Sequence, residues 1–303
     1  MEFLNQFGLT LSPFELIFGL LIGMGAMWVG AVLAKRQARR YATSQANSSG
    51  TSVDPDGNFP AVNFFDYGDM RFLHLGSPAV QGSMRISQPL EIHLEYVQRM
   101  MGWLLFADLD KVGSLHAMQL GLGAASLTKF CHKHLRMQTT AIELNPQVVA
   151  ACRLWFKLPE DTSKLNVVLG DAAEVAGHDH WRGKIDALQV DLYDQDAACP
   201  VLDSEAFYAD CRQLLTDNGC MTVNLFGRSS SFESSVQKIA NAFGKDSLWA
   251  FRPTKEGNTI LMALRTARAL DRDALLLQAQ AIQKQWPLPA TKWLKVLAPV
   301  ALT

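Results

Sequence analysis

Net charge is the first thing this chain lacks: 28 Lys and Arg face 29 Asp and Glu over 303 residues, a formal net charge of -1. Without a basic field a nucleic-acid role has no electrostatic support, so a small partner is expected. It also lacks CxxC spacing. Its five cysteines, Cys131, Cys152, Cys199, Cys211 and Cys220, are scattered and odd in number. That fits reduced thiols in a cytoplasmic compartment better than a disulfide framework, and suggests no zinc site. Two His-x-His pairs, His132 with His134 and His178 with His180, lack further ligands at matched spacing, so no metal is expected. The stretch "LGLGAASLTKF", Leu120 to Phe130, lacks a third glycine: Gly121 and Gly123 are followed by Ser126 where a dinucleotide loop would place it. Close packing on a pyrophosphate is therefore disfavoured.

Among what is present, "FELIFGLLIGMGAMWVGAVLA", residues 14–34, carries one charge, Glu15, and runs directly into "KRQARR". A helix of that length covers about 30 Å, the hydrocarbon thickness of a bilayer. No Lys or Arg precedes it, as a signal peptide would want, and the basic cluster Lys35, Arg36, Arg39 and Arg40 places the following chain on the cytoplasmic side of the inner membrane. The other readings are a buried soluble helix and an N-terminus lengthened by a misplaced start. Residues 41–60, rich in Ser, Asn, Gly, Pro and Asp, form a flexible linker.

Short runs from Asn63 to Ser87 give a small β module over residues 61–90. "LEIHLEYVQRMMGWLLF" then has helical spacing and leads into a main domain over residues 91–268. Strands are expected at Leu115–Leu120, Gln138–Ile142, Asn166–Leu169, Ile185–Val190 and Cys220–Leu225, separated by helices, which makes a parallel sheet covered on both faces. "DSLWAFRP" and "GNTILMALR", joined by a turn at Glu256-Gly257, read as an antiparallel pair ending that sheet. This is an α/β architecture of the S-adenosylmethionine-dependent, methyltransferase-like Rossmann class, preceded by the β module and the N-terminal apolar helix. Residues 269–303, including Asp271–Trp286 and Thr291–Leu297, read as a helical extension.

Chemistry gathers at the carboxyl ends of the strands. Gly121 and Gly123 let the backbone approach a ligand at a helix N-terminus. Glu143, in "AIELNP" about twenty residues on, is placed to accept both hydroxyls of a ribose. Asp171, in "VVLGDAAE", is placed to accept from an adenine amine beside Ala172, with loop capping as its other reading. Asp191, Asp194 and Asp196, in "VDLYDQDAACP", gather carboxylates where the group attached to the adenosine would project. Such a cluster suits a cationic partner or proton removal from an amine, and neighbouring carboxylates raise one another's pKa.

From about Phe65 to Arg265 these pieces, with "VQGSM", "EAFYADC" and "PTKEGNTILMAL", resemble in order and spacing the spermidine and spermine synthases, more closely their bacterial spermidine-synthase-like branch. The resemblance implies a small β domain and a methyltransferase-like Rossmann domain, assembled as a homodimer. It implies that Gly121 and Gly123 line the sulfonium side chain of decarboxylated S-adenosylmethionine, that Glu143 holds the ribose, and that Asp171 and Ala172 meet the adenine. Gln81 would reach the co-substrate from the β module. Asp191 and Asp194 would position and deprotonate a small cationic amine, with Tyr96 and Asp196 on the amine side.

Three departures stand out. Ala124 occupies the place of the family's aspartate, Tyr96 is followed by Val97 and Gln98 in place of histidine and glutamate, and Lys255 stands where a tyrosine lines the polyamine groove. The function implied is transfer of an aminopropyl group to a polyamine amine. The alternatives are methyl transfer from S-adenosylmethionine itself, and a membrane-tethered nucleoside-binding protein without turnover.

Overall fold

Val62 and Phe64 turn inward while Asn63 and Phe65 stay exposed, the period of a strand with one wet face. This strand, β1 (Val62–Tyr67), pairs antiparallel with β2 (Met70–Leu75), and β2 with β3 (Gly82–Arg85), giving a three-stranded sheet. The structure, a computed structural model, describes residues 59–193, 202–226, 230–268 and 271–301. The apolar stretch 14–34, nearly all of the linker, Asp194 and Asp196 lie outside the described residues. Among the described residues no helix is long and apolar enough to cross a membrane.

The helix expected before the main domain is short. α1 (Glu95–Arg99) passes at once into a 3-10 segment, Met100–Phe106, all of it buried. The carbonyl of Met100 accepts from Gln189 Nε2 at 3.3 Å and Thr222 Oγ1 at 3.1 Å. Those side chains stand on neighbouring strands and pin the segment across the sheet, and a segment apolar on every side needs no single helical face.

β4 (His116–Leu120) is buried throughout, as an inner parallel strand should be. After it come α2 (Ser126–Lys133), β5 (Gln138–Glu143), α3 (Pro146–Trp155), β6 (Leu165–Leu169), α4 (Ala172–Gly177) and β7 (Ile185–Val190). The chain continues through α5 (Glu205–Leu214), β8 (Leu215–Phe226), α6 (Ser230–Phe243), β9 (Leu248–Phe251) and β10 (Asn258–Leu264), then α7 (Arg272–Gln285), α8 (Ala290–Trp293) and β11 (Leu297–Pro299). The eight-stranded order is β11-β9-β10-β8-β7-β4-β5-β6. Strands β8, β7, β4, β5 and β6 are parallel, and β10, β9 and β11 continue the sheet antiparallel. Leu275, Ala279 and Ile282 of α7 pack with the 3-10 segment on one face, and Phe207, Tyr208, Val236 and Ile239 of α5 and α6 cover the other.

The sequence reading of residues 269–303 as helical extension is corrected at its end. Leu297–Pro299 is an edge strand, with Leu297 opposite Phe251 and Pro299 opposite Trp249. Three residues are too few to show alternation, and a proline is tolerated at a sheet edge because a missing N–H matters least there.

Two helix starts follow from local chemistry. Asn145 accepts from the Gln147 amide at 2.9 Å with Pro146 in the first turn of α3, and Asp171 accepts from the Ala173 amide at 2.6 Å ahead of α4. α2 starts differently, from Ala125 in the left-handed region at φ 57° with no side-chain cap. Replacing this fully buried residue, Ala125→Gly, should leave stability within about 1 kcal/mol of the parent. Relief of a left-handed backbone, about 1–2 kcal/mol, offsets the lost methyl and the added chain entropy, each about 1 kcal/mol. Urea unfolding midpoints check this, and a loss of several kcal/mol would contradict the backbone assignment.

Candidate active site

Strand order reverses between β4 and β7, since β5 and β6 follow on one side of β4 while β7 and β8 lie on the other. Open α/β sheets bind ligands outside such a point, at the carboxyl ends of the strands. Three strand ends are tied together there: the Gly121 amide donates to the Ile142 carbonyl at 2.9 Å, and the Asp191 amide to the Leu120 carbonyl at 3.0 Å. Gly121 has φ 90°, and a Cβ on it would collide with the Asp191 carbonyl oxygen. The loop glycine and the acid thus depend on one another's position.

The β module closes the other side. A Cβ on Gly82 would lie 2.7 Å from the Cβ and amide of Ala124, and one on Gly123 would lie 3.0 Å from the Gln81 carbonyl. Ser126 donates through Oγ to the Ser83 carbonyl at 3.1 Å. The residue in the third-glycine position therefore fastens α2 to β3. Ala124, 3% exposed, is covered by Gly82, so its small side chain matches the close approach of β3 to the glycine loop.

Between these walls lies a cavity of about 860 Å³. Gln81, Tyr96, Gly121, Gly123, Glu143, Asp171, Ala172 and Asp191 all line it. Glu256 lines it too, whereas Lys255, the neighbour singled out in the sequence, is exposed and does not. Five carboxylates, those of Glu95, Glu143, Asp171, Asp191 and Glu256, stand on the wall, and among its described residues there is no lysine or arginine. Glu95 is already paired with Arg99, and a wall of that composition favours cations over anions among its charged side chains.

Glu143 receives the Leu122 amide on Oε2 at 3.1 Å and the Asn145 amide on Oε1 at 2.9 Å. Burial raises its pKa, and these backbone donors oppose the rise. Two bonds fix the carboxylate in orientation, and each oxygen keeps a second lone pair for a ligand hydroxyl. It is more enclosed than a solvated helix-start charge would be. Asp171 caps α4 through Oδ1, as its loop-capping reading has it, and it also stands on the cavity wall.

Asp191 receives Asn224 Nδ2 on Oδ1 at 2.9 Å and is also hydrogen-bonded by the Tyr96 hydroxyl. Burial pushes its carboxyl up to about 6, against the pull of those two bonds. The sequence-based expectation assigned such a rise to neighbouring acids; here desolvation is the cause, and Asp194 and Asp196 lie outside the described residues. Burial and the nearby Asp191 charge hold Tyr96 well above the usual phenol range, so it remains a neutral donor. Asn224, Asn258 and Tyr193, absent from the sequence-based set, also line the cavity. A polar residue at the carboxyl end of the apolar run "CMTVNLF" was the signal available for Asn224.

No protein-family model matches the chain. It is 31% identical over 231 residues to a polyamine aminopropyltransferase of Chromobacterium violaceum, covering 76% of this chain and 86% of that protein. A polyamine aminopropyltransferase of Neisseria meningitidis serogroup A is 32% identical over 210 residues, 69% of this chain and 78% of that one. In structure the chain is similar to a probable spermidine synthase from Corynebacterium glutamicum, with TM-score 0.61 at 16% identity over 78% of this chain and 88% of that one. It is also similar to human methyltransferase-like protein 13 in complex with SAH, with TM-score 0.57 at 24% identity over 64% of this chain and 92% of that one. These structural likenesses show the methyltransferase-like Rossmann fold.

Proposed function

Because the chain belongs to the polyamine aminopropyltransferase family, we propose that its cavity transfers the aminopropyl group of decarboxylated S-adenosylmethionine to an amine of a polyamine. The observation that carries this reading is a wall with five carboxylates and, among its described residues, no lysine or arginine, around a buried aspartate at the switch point. Glu143 holds the ribose hydroxyls, Asp171 and Ala172 receive the adenine, and Gln81 reaches in from β3's side. Gly121 and Gly123 allow the substrate's sulfonium close to the backbone. Wall carboxylates, Glu256 among them, hold the acceptor's ammonium groups, with Asp194 and Asp196 assigned to the same side.

The acceptor arrives protonated, with a pKa near 10.4 if lysine is the guide. Asp191 accepts its proton, and confinement beside a sulfonium lowers the ammonium pKa toward that of the buried carboxyl. The freed nitrogen lone pair forms the new N–C bond as the C–S bond breaks, the electrons pass to sulfur, and neutral methylthioadenosine leaves. Tyr96 and Asn224 keep Asp191 oriented through the step.

Methyl transfer from S-adenosylmethionine is the weaker reading, because the wall has no cationic side chain among its described residues for that molecule's carboxylate. The apolar stretch 14–34 with its basic flank is proposed to tether this catalytic part to the cytoplasmic face of a membrane.

Incubation of the full chain with decarboxylated S-adenosylmethionine and putrescine, spermidine or a longer polyamine should yield methylthioadenosine. Calorimetry should show tighter binding of the decarboxylated compound than of S-adenosylmethionine. No product with any polyamine would remove the transfer reading, and the reverse order of affinity would favour methyl transfer.

A further inference from the structure

Asp191 sits at the end of a directional chain of amides. Asn258 Nδ2 donates to Asn224 Oδ1 at 3.2 Å, and Asn224 Nδ2 donates to Asp191 Oδ1 at 2.9 Å. The two asparagines meet because β10 runs antiparallel to β8, with Asn258 opposite Phe226 and Ile260 opposite Asn224. Asn224 and Asn258 are therefore diagonal neighbours on one face of the sheet. Asn224 is 3% exposed, and its backbone carbonyl accepts from the Tyr193 hydroxyl at 2.8 Å. Asn258 is fixed in turn by the turn before it: its amide donates to Thr254 Oγ1 at 3.2 Å, and the Thr254 amide to the Asn258 carbonyl at 2.8 Å.

A charged carboxylate accepts hydrogen bonds and donates none. The Asn224 amide, turned by half a rotation, would present oxygen to oxygen and lose a charge-assisted bond. Nothing in the shape of an asparagine decides between the two orientations, because its oxygen and nitrogen are nearly the same size. The Asp191 carboxylate favours the orientation that brings it an N–H, and Asn258, offering an N–H to the Asn224 oxygen on the far side, favours the same one. We infer that Asn258 is a positioning residue that locks the Asn224 amide with its N–H toward Asp191, so that the antiparallel hairpin orients the proton acceptor of the reaction.

This inference rests on the transfer reading for its consequence in catalysis, and on geometry alone for the lock. The other titratable groups lining the cavity with Asp191 are His93 ahead of α1, Glu95 and Tyr96 on α1, Glu143 at the end of β5, Asp171 ahead of α4, Tyr193 beyond β7 and Glu256 before β10. Asn258 reaches Asp191 by way of the Asn224 amide, so removing the Asn258 amide acts on the acid through Asn224.

The test is the titration of Asp191 itself, followed in the full chain by NMR of ¹³C-labelled aspartate, with the signal assigned by its loss in Asp191→Asn. Asn224→Leu removes the bond directly and should raise the Asp191 midpoint by about one pH unit. Asn258→Ala should raise it in the same direction and by a comparable amount, and Asn258→Leu, which fills the space, serves if the smaller variant folds poorly. In the transfer assay the acid limb of the kcat profile should move with the midpoint, while KM for the nucleoside stays within about threefold, since neither asparagine is assigned to it. Asn258 variants that titrate like the parent while Asn224→Leu is shifted would overturn the lock. If the parent forms no methylthioadenosine with any polyamine, the transfer reading fails, and the NMR midpoints still decide the lock.

Discussion

Asp191→Asn is expected to slow methylthioadenosine formation by about 10²–10⁴-fold, the range for losing a positioned proton acceptor, while making the folded chain more resistant to urea at pH 7. The two effects have one cause. Burial pushes the Asp191 carboxyl up to about 6. Between the ordinary carboxylate pKa and that value the folded chain binds a proton that the unfolded chain has released. Stability therefore falls as pH rises through that window, and the cost is complete above it. Ionising the buried acid across that window costs up to about 3 kcal/mol, which an uncharged amide of the same shape does not incur. In the parent the rate should rise with pH through about 6 as Asp191 ionises, then level off. A variant that lost activity and stability together would point to misfolding, and one that kept the parent's rate would remove Asp191 from the reaction.

The repeating part of the fold was legible because its signals are local. The inner parallel strands β4, β5 and β7 are short, largely buried runs, and Asn145 and Asp171 mark helix starts that follow parallel strands. The same ends carry Gly121, Glu143, Asp171 and Asp191, so one chain edge held both the fold signal and the acids of the cavity. What could not be read depends on partners far away in sequence. Asn224 and Asn258 look like polar interruptions of two apolar strands until the antiparallel register sets them diagonally across from each other. Gln119 and Gln189 are the same kind of residue on neighbouring parallel strands, bonded at 2.8 Å deep in the sheet. Lys255 drew notice because it stands where a tyrosine of the family it resembles lines the polyamine groove, but its neighbour Glu256 is the one that lines the cavity. β11 was missed because a three-residue edge strand takes its conformation from β9, not from its own composition.

Gly121 should tolerate an added methyl least of the glycines compared in the described residues. At φ 90° an alanine is outside the regions L-residues favour, and its Cβ would run into the Asp191 carbonyl, a backbone atom that cannot rotate away. Backbone strain and overpacking together predict a loss of about 3 kcal/mol or more. The Asp191 backbone yields if the loop does not. A displacement of about 1 Å in a proton acceptor is enough to cost roughly 10²-fold in rate. Gly123→Ala is the internal comparison. Its φ of 50° is one that Ala125, two residues on, already adopts at 57°, and its added Cβ would meet the Gln81 carbonyl at 3.0 Å. That variant should lose only about 1–2 kcal/mol and keep Asp191 in place. Urea midpoints and initial rates of methylthioadenosine release for the two variants therefore have a required order, Gly121→Ala below Gly123→Ala in both. Equal losses would mean that the loop tolerates or rejects side chains without regard to Asp191, and the coupling between the glycine loop and the acid would have to be given up.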